Sequence, residues 1–305
     1  MNLISIFDLT RAELEGILER GEELKKERKA LKTSKKLEGK TLALIFEKPS
    51  TRTRVSFEVA MRELGGNVIS LNWKELQLGR GERVKDTAKV LSSYVDAVMI
   101  RAYQHDTVVE FANHASIPVI NGLTDFEHPC QTLADLMTIK EYKENFAGMT
   151  VAWVGDGNNV CNSLIGGAAI TGMHMRVACP QGYEPAGKVV EKATQMGCEV
   201  LITRRAEEAV ADADVLYTDV WVSMGDEDES EKRKRDLRKY QLTEDLVKVA
   251  KEEAIIMHCM PVHIGEEITD GVMNSRNSVI FEQAENRLHA QKALLLKLLK
   301  NEATN

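Results

Sequence analysis

The strongest constraint on the fold is a repeated alternation. Short, nearly continuous apolar runs are separated by stretches of helical spacing. TLALIF (41–46), NVISLN (67–72), DAVMIR (96–101) and IPVING (117–122) form one series. VAWVGD (151–156), RVACP (176–180), CEVLIT (198–203), DVLYTD (214–219), AIIMHCMP (254–261) and SVIFEQ (278–283) form a second. A strand that hides both faces has little need of polar alternation, so these runs predict parallel sheets covered by helices on either side. Helices are expected over 10–31, 51–65, 83–94, 106–115, 129–145 and 283–301. The first carries a possible Thr10–Glu13 capping box and an apolar stripe of Leu14, Ile17, Leu18 and Leu24. A chain of 305 residues suits two domains of about 150. The expected fold is therefore α/β, with two doubly wound parallel-sheet domains. The boundary is expected near Gly148, giving 1–146 and 147–282, with the last helix (283–305) packing back on the first domain.

Composition narrows the function. A formal net charge of −7 argues against a nucleic-acid partner but leaves room for a local basic pocket that takes a small anion. Five cysteines, an odd number with no CxxC pair, argue against a disulfide framework and for a cytoplasmic protein. No apolar run reaches the ~18 residues of a membrane span, and the first twenty residues have no signal-peptide pattern.

In open parallel sheets ligands gather at the carboxyl ends of strands. The polar residues just beyond the expected strands are Ser50–Thr53, Arg101, His128–Gln131, Asp156–Asn159, Asp219–Met224, His258–Met260 and Gln283–Arg287. Ser50, Thr51, Arg52 and Thr53 fall where a strand gives way to a helix. Unpaired N–H groups and the helix dipole favour an anion there, and a guanidinium fork suits phosphate oxygens. The same residues would also serve as a plain helix cap by Ser50 with solvated arginines. No Walker-type GxxxxGK[ST] loop is present.

STRTR (50–54), HPCQ (128–131), DVWVSMG (219–225), HCMP (258–261) and Arg287 occur in this order along the chain. This pattern resembles the aspartate/ornithine carbamoyltransferase family, and within it the ornithine branch. The resemblance implies two domains with the active site in the cleft between them, one binding carbamoyl phosphate (1–146) and one binding L-ornithine (147–282). It implies that Ser50, Thr51, Arg52, Thr53 and Gln77 hold phosphate, with Gln77 near a subunit boundary. Arg101, His128 and Gln131 would meet the carbamoyl group, Cys259 and Met260 would lie beside its amide, and Arg287 would stand on the carbamoyl phosphate side. Asn159, Asp219, Ser223 and Met224 match ornithine positions. No cofactor and no metal are implied, and a homotrimer or a multiple of trimers is.

The implied chemistry makes three demands. Charge developing on the carbonyl oxygen requires donors such as Arg101, His128 and Thr53. The leaving phosphate requires the helix start and Arg52. The attacking δ-amine must be neutral, although an amine of pKa about 10.4 is almost wholly protonated at neutral pH. Asp219, Cys259 or the bound phosphate could take the proton, Cys259 as a thiolate if cations lie near it. The charge run 225–240 is expected to be a flap over the pocket. Three alternatives stand beside this reading. One is a nicotinamide dehydrogenase using GDGNNV, which lacks the third glycine of the fingerprint. Another is a carbamoyltransferase for a different amine, and the last is a non-catalytic anion binder.

Overall fold

The computed structural model describes residues 1–32, 35–143, 145–222 and 227–300. The chain forms two compact units, one from Met1–Met137 with Glu285 onward, the other from Thr138–Ala284. The divisions fall inside helices rather than in the linker near Gly148.

The first unit contains β1 (Thr41–Phe46), β2 (Asn67–Asn72), β3 (Ala97–Arg101) and β4 (Val119–Leu123). Its helices are α1 (Arg11–Lys29), α2 (Thr51–Glu63), α3 (Val84–Ser92) and α4 (His105–His114). α5 (Pro129–Lys143) begins in this unit and runs into the second. The second unit contains β5 (Thr150–Val154), β6 (His174–Ala178), β7 (Val200–Thr203), β8 (Val215–Thr218) and β9 (Ile255–His258). Its helices are α6 (Asn159–Thr171), α7 (Gly187–Gln195), α8 (Ala206–Val210), α9 (Ser230–Leu237), α10 (Glu244–Val247) and α11 (Asp270–Met273). α12 (Ile280–Leu299) starts in the second unit and continues in the first.

Both sheets are parallel throughout, with strand orders β2-β1-β3-β4 and β7-β6-β5-β8-β9. The apolar runs follow from this. Leu42 to Ile45 and all of β3 are buried, because helices cover both faces. The edge strand β2 alternates, leaving Ile69 exposed. The α1 capping box is present, with Thr10 and Glu13 each accepting the other's backbone N–H.

Strand order also locates the places where ligands can bind. In the first sheet the order reverses between β1 and β3; in the second it reverses between β5 and β8. A crevice opens outside the carboxyl ends of such strands because the following helices leave to opposite faces. Residues 47–53 and Arg101 stand at the first reversal, and Asp156–Asn159 and Asp219 at the second.

One expectation changes. SVIFEQ is not a strand: Ser278 makes an isolated bridge to Ile256, and α12 begins at Ile280. A short apolar run fits either state, and here it continues the period of the long helix that follows. Gln283 and Arg287 are therefore residues of α12, one turn apart, rather than residues of a strand-end loop. The charge run forms α9 over its central part, with Leu237 buried beneath it. Arg233 of α9 pairs with Asp156 and donates through Nε to the Trp221 carbonyl at 2.8 Å.

Candidate active site

At the first reversal, Ser50 is the N-cap of α2, its Oγ accepting from Thr53 N at 3.3 Å. The capping reading thus holds. No carbonyl of the helix itself can serve the N–H groups of Thr51 and Arg52. Thr51 and Arg52 are exposed, while Thr53 is buried. Arg54 is committed to Glu58 at 3.0 Å; Arg52 makes no ion pair among the described residues.

Two buried guanidinium groups meet at the Thr53 hydroxyl. Arg101, the last residue of β3, donates from Nη1 at 3.3 Å, and Arg287 of α12 donates from Nη2 at 2.9 Å. Arg287 also donates to Gln131 Oε1 at 2.6 Å and lies 3.3 Å from His128 Nε2. Gln131 in turn donates to Asp135 Oδ1 at 2.8 Å, so a buried carboxylate one turn along α5 orients the amide that orients the arginine. Ser50, Thr53, Arg101, His128, Gln131 and Arg287 therefore lie in one hydrogen-bonded cluster of the first unit. Gln77, itself exposed, starts the 3-10 turn Gln77–Arg80, whose Leu78 is buried, and is not a member of that cluster.

Burial, reinforced by the positive charges of Arg287, Arg101 and Arg52, holds His128 well below the ordinary histidine pKa. His128 is neutral at pH 7 and can polarise a carbonyl only by hydrogen bonding. Cys130 is fully buried beside Asn121 O, and burial pushes its thiol up to about 12, which makes it a packing residue.

The depressed histidines have a stability consequence. An unfolded histidine titrates near 6.5. As pH falls through that value the unfolded chain binds a proton that folded His128 refuses, so its stabilisation is present above about 6.5 and is lost below. His289, held down to about 4 by burial despite Glu285 nearby, acts the same way between those values. Urea unfolding should show stability declining from pH 7 to 5, each histidine contributing at most about 1.4 kcal/mol per pH unit. A flat profile over that range would contradict the buried neutral assignments.

At the second reversal, Asp219 follows β8. Its Oδ2 accepts from Asn158 Nδ2 at 2.8 Å, and its Oδ1 accepts from Val220 N at 2.8 Å and from Cys259 Sγ at 2.9 Å. Asn158 is more than a turn residue: its Oδ1 caps α6 through Val160 N and Cys161 N, while its amide fixes the carboxylate. Asn159 opens α6 beside it. The Cys259 thiol thus donates a hydrogen bond to the Asp219 carboxylate. The glycines of GDGNN have backbone reasons: Gly155 has φ +131, and a Cβ on Gly157 would meet Pro185 N at 2.3 Å.

Past Cys259 the chain turns sharply. Met260 has φ +59, and its N–H donates to His258 Nδ1 at 2.8 Å. That bond makes Nδ1 the acceptor, so the ring proton of neutral His258 sits on Nε2 and faces Glu267 Oε1 at 3.1 Å. Glu267, fully buried, thereby sets the tautomer that holds the Met260 turn. Ligand atoms of Asp219, His258 and Cys259 lie within 4.8 Å of one another, as do those of His263, Glu266 and Glu267. Both His258 nitrogens are already engaged, and Glu266 is paired with Lys234 at 2.7 Å, so a metal would have to displace existing bonds. Ser223 and Met224 lie outside the described residues.

Asn158, Asp135 and Glu267 were not selected from the sequence. Each acts on a selected residue, and only the two-residue offsets around Asn158 and the one-turn spacing of Gln131 and Asp135 are local enough to have suggested them.

The chain is similar to known proteins over nearly its whole length. Residues 1–141 match the description "Aspartate/ornithine carbamoyltransferase, carbamoyl-P binding domain", and residues 147–298 match its "Asp/Orn binding domain". An ornithine carbamoyltransferase from Archaeoglobus fulgidus is 55% identical over 302 residues, spanning 99% of this chain and 98% of that protein. One from Methanosarcina mazei is 54% identical over 299 residues, spanning 98% and 99%. The solved structure of ornithine carbamoyltransferase from Pyrococcus furiosus superposes with a TM-score of 0.95 at 51% identity, covering 99% of this chain and 98% of that one. The chain belongs to the aspartate/ornithine carbamoyltransferase family.

Proposed function

We propose that this protein is an ornithine carbamoyltransferase, which moves the carbamoyl group of carbamoyl phosphate to the δ-amine of L-ornithine and yields L-citrulline and phosphate. The observation that carries the reading is the meeting of Arg101 and Arg287 at Thr53 Oγ1, beneath the start of α2 and beside a neutral His128. An acyl phosphate has two anionic regions in the transition state, the phosphoryl oxygens and the carbonyl oxygen. In our reading the α2 start takes the phosphoryl group, with Ser50, Thr51, Arg52, Thr53 and Gln77. Arg101, His128 and Thr53 donate to the carbonyl oxygen, while Gln131 and Arg287 hold the ligand and its surroundings. In the same reading the Met260 carbonyl receives the carbamoyl amide beside Cys259.

Asn159, Asp219, Ser223 and Met224 bind ornithine, with Asn158 supporting Asp219. The amine loses its proton toward Asp219, directly or through the Cys259 thiol, and then attacks the carbonyl carbon. The C–N bond forms and the C–O bond to phosphate breaks; the phosphate leaves with the electron pair, takes the second proton of the attacking nitrogen and departs as the dianion. The high identity to relatives named ornithine carbamoyltransferase supports free ornithine over other amines.

The assembly is a homotrimer or a multiple of one. Exposed apolar side chains on the first unit, Val55, Ile69 and Tyr94, support association; a sedimentation mass of one chain would contradict it. The protein works in the cytoplasm, which suits five cysteines that form no disulfide. No described helix is long and apolar enough to cross a membrane.

An amine panel tests the reading. With carbamoyl phosphate, the enzyme should form citrulline and phosphate in equal amounts from L-ornithine. Its kcat/KM for aspartate, putrescine and N-acetylornithine should be at least about 10³-fold lower, since buried polar groups left unpaired reject the wrong substrate strongly. Faster turnover of any of these would overturn it.

A further inference from the structure

We propose that Ser5 and Glu127 are positioning residues: they clamp the leading segment, residues 2–8, onto the turn that carries His128. This rests on the carbonyl-polarising role assigned to His128 above.

β4 is an edge strand, and its outer side is covered by the beginning of the chain. Leu3 N donates to Val119 O at 2.9 Å, and Asn121 N donates to Leu3 O at 2.8 Å. Asn2 Oδ1 accepts from Val119 N at 2.9 Å, and Asn121 Nδ2 donates to Ile4 O at 2.9 Å. Those four bonds suffice to cover the edge. The segment then folds into the 3-10 turn Ile6–Asp8, where Ser5 and Asp8 cap each other reciprocally.

The clamp is a separate feature, built beyond the end of β4. Residues 124–127 close a tight loop: Thr124 N donates to Glu127 O at 2.9 Å, and Glu127 N donates to Thr124 Oγ1 at 3.2 Å. From that loop the Glu127 side chain, 2% exposed, reaches back to the leading segment. Its Oε1 accepts from Ser5 Oγ at 2.6 Å and its Oε2 from Ile6 N at 3.0 Å. Each carboxylate oxygen thus has a donor from a segment more than a hundred residues away in the chain. The next residue is His128, itself buried and 3.3 Å from Arg287.

A buried carboxylate deprived of a donor must recruit water or a proton. Either response moves the backbone on which Glu127 sits, and His128 moves with it. Neither Ser5 nor Glu127 is placed against substrate, so the effect reaches catalysis only through the imidazole.

Ser5→Ala removes one donor, changes no charge and truncates a half-buried side chain, so the core stays intact. Glu127→Gln keeps an acceptor and removes the charge; Ser5→Thr restores the hydroxyl. Two readouts are taken on each full-length variant. The first is kcat and KM for each substrate. The second is the NMR titration of the His128 Cε1–H. The charges that face His128 are Arg287, Arg101 and Arg52, with Glu127 not among them, so its midpoint reports burial and position.

We expect Ser5→Ala and Glu127→Gln to lower kcat/KM for carbamoyl phosphate about tenfold, leave KM for ornithine within about twofold, and raise the His128 midpoint toward 6.5 as water gains access. Ser5→Thr should restore both. A His128 midpoint and kcat/KM unchanged in both variants would overturn the clamp, as would a loss of activity with no change in the His128 titration. If the parent enzyme made no citrulline, the proposed function would fail by itself, while the titration would still judge the clamp.

Discussion

Arg101→Met should retain its fold and lose about 10²–10³-fold in kcat, the cost of removing one preorganised donor from a developing oxyanion. Arg101 ends β3 at the point of strand-order reversal, and its guanidinium is held in place before any substrate arrives, through Thr53 Oγ1 and burial on all sides. A donor so fixed needs no reorganisation when charge builds up. Methionine fills the space of the aliphatic stem. Losing a buried cation that neighbours another, Arg287, is not expected to destabilise the unit greatly. Arg101→Lys should recover little, because an ammonium cannot reproduce the planar fork. Steady-state kinetics and a thermal melt on the same preparation check both halves. A melting temperature near the parent's with kcat within tenfold would remove Arg101 from the oxyanion role.

Asp219→Asn should lower kcat/KM for ornithine by about 10³-fold, within the range of a lost general base, while carbamoyl phosphate binding is unchanged. The carboxylate is the acceptor for both the Asn158 amide and the Cys259 thiol. Asparagine keeps the shape but withdraws the charge that draws a proton from the amine. The companion variant Cys259→Ala discriminates the routes. If the thiol relays the proton to Asp219, the double variant should be no worse than Asp219→Asn, because residues acting as one unit are not additive. A harmless Asp219→Asn with a crippling Cys259→Ala would assign the proton to the thiol. Two harmless single variants would assign it to the departing phosphate.

How far the sequence reaches depends on the range of the interactions. The strands were legible because burial on both faces writes itself as continuous apolar runs, and β1 and β3 follow their runs closely. The edge position of β2 was not legible, because the exposed residue in the middle of NVISLN is the apolar Ile69. SVIFEQ failed because the three apolar residues Val279, Ile280 and Phe281, followed by a helical period, can belong to the helix. The α2 start was legible for a similar reason, since capping is local. The joining of Thr53, Arg101, Gln131 and Arg287 was not, because it depends on a strand end and three helices far apart in the chain. Glu127 and Glu267 lay beyond reach as well. A carboxylate beside a histidine motif looks like any surface acid until its burial and partners are known.

The central claim is that the start of α2, together with Arg52, holds the phosphoryl group. It is tested most directly by a crystal structure with phosphonoacetamide, a stable isostere of carbamoyl phosphate. The phosphonate should lie against Ser50, Thr51, Arg52 and Thr53, with its carbonyl oxygen directed to Arg101 and His128. A phosphonate bound with full occupancy anywhere else on the protein, leaving the α2 start to solvent, would contradict the account.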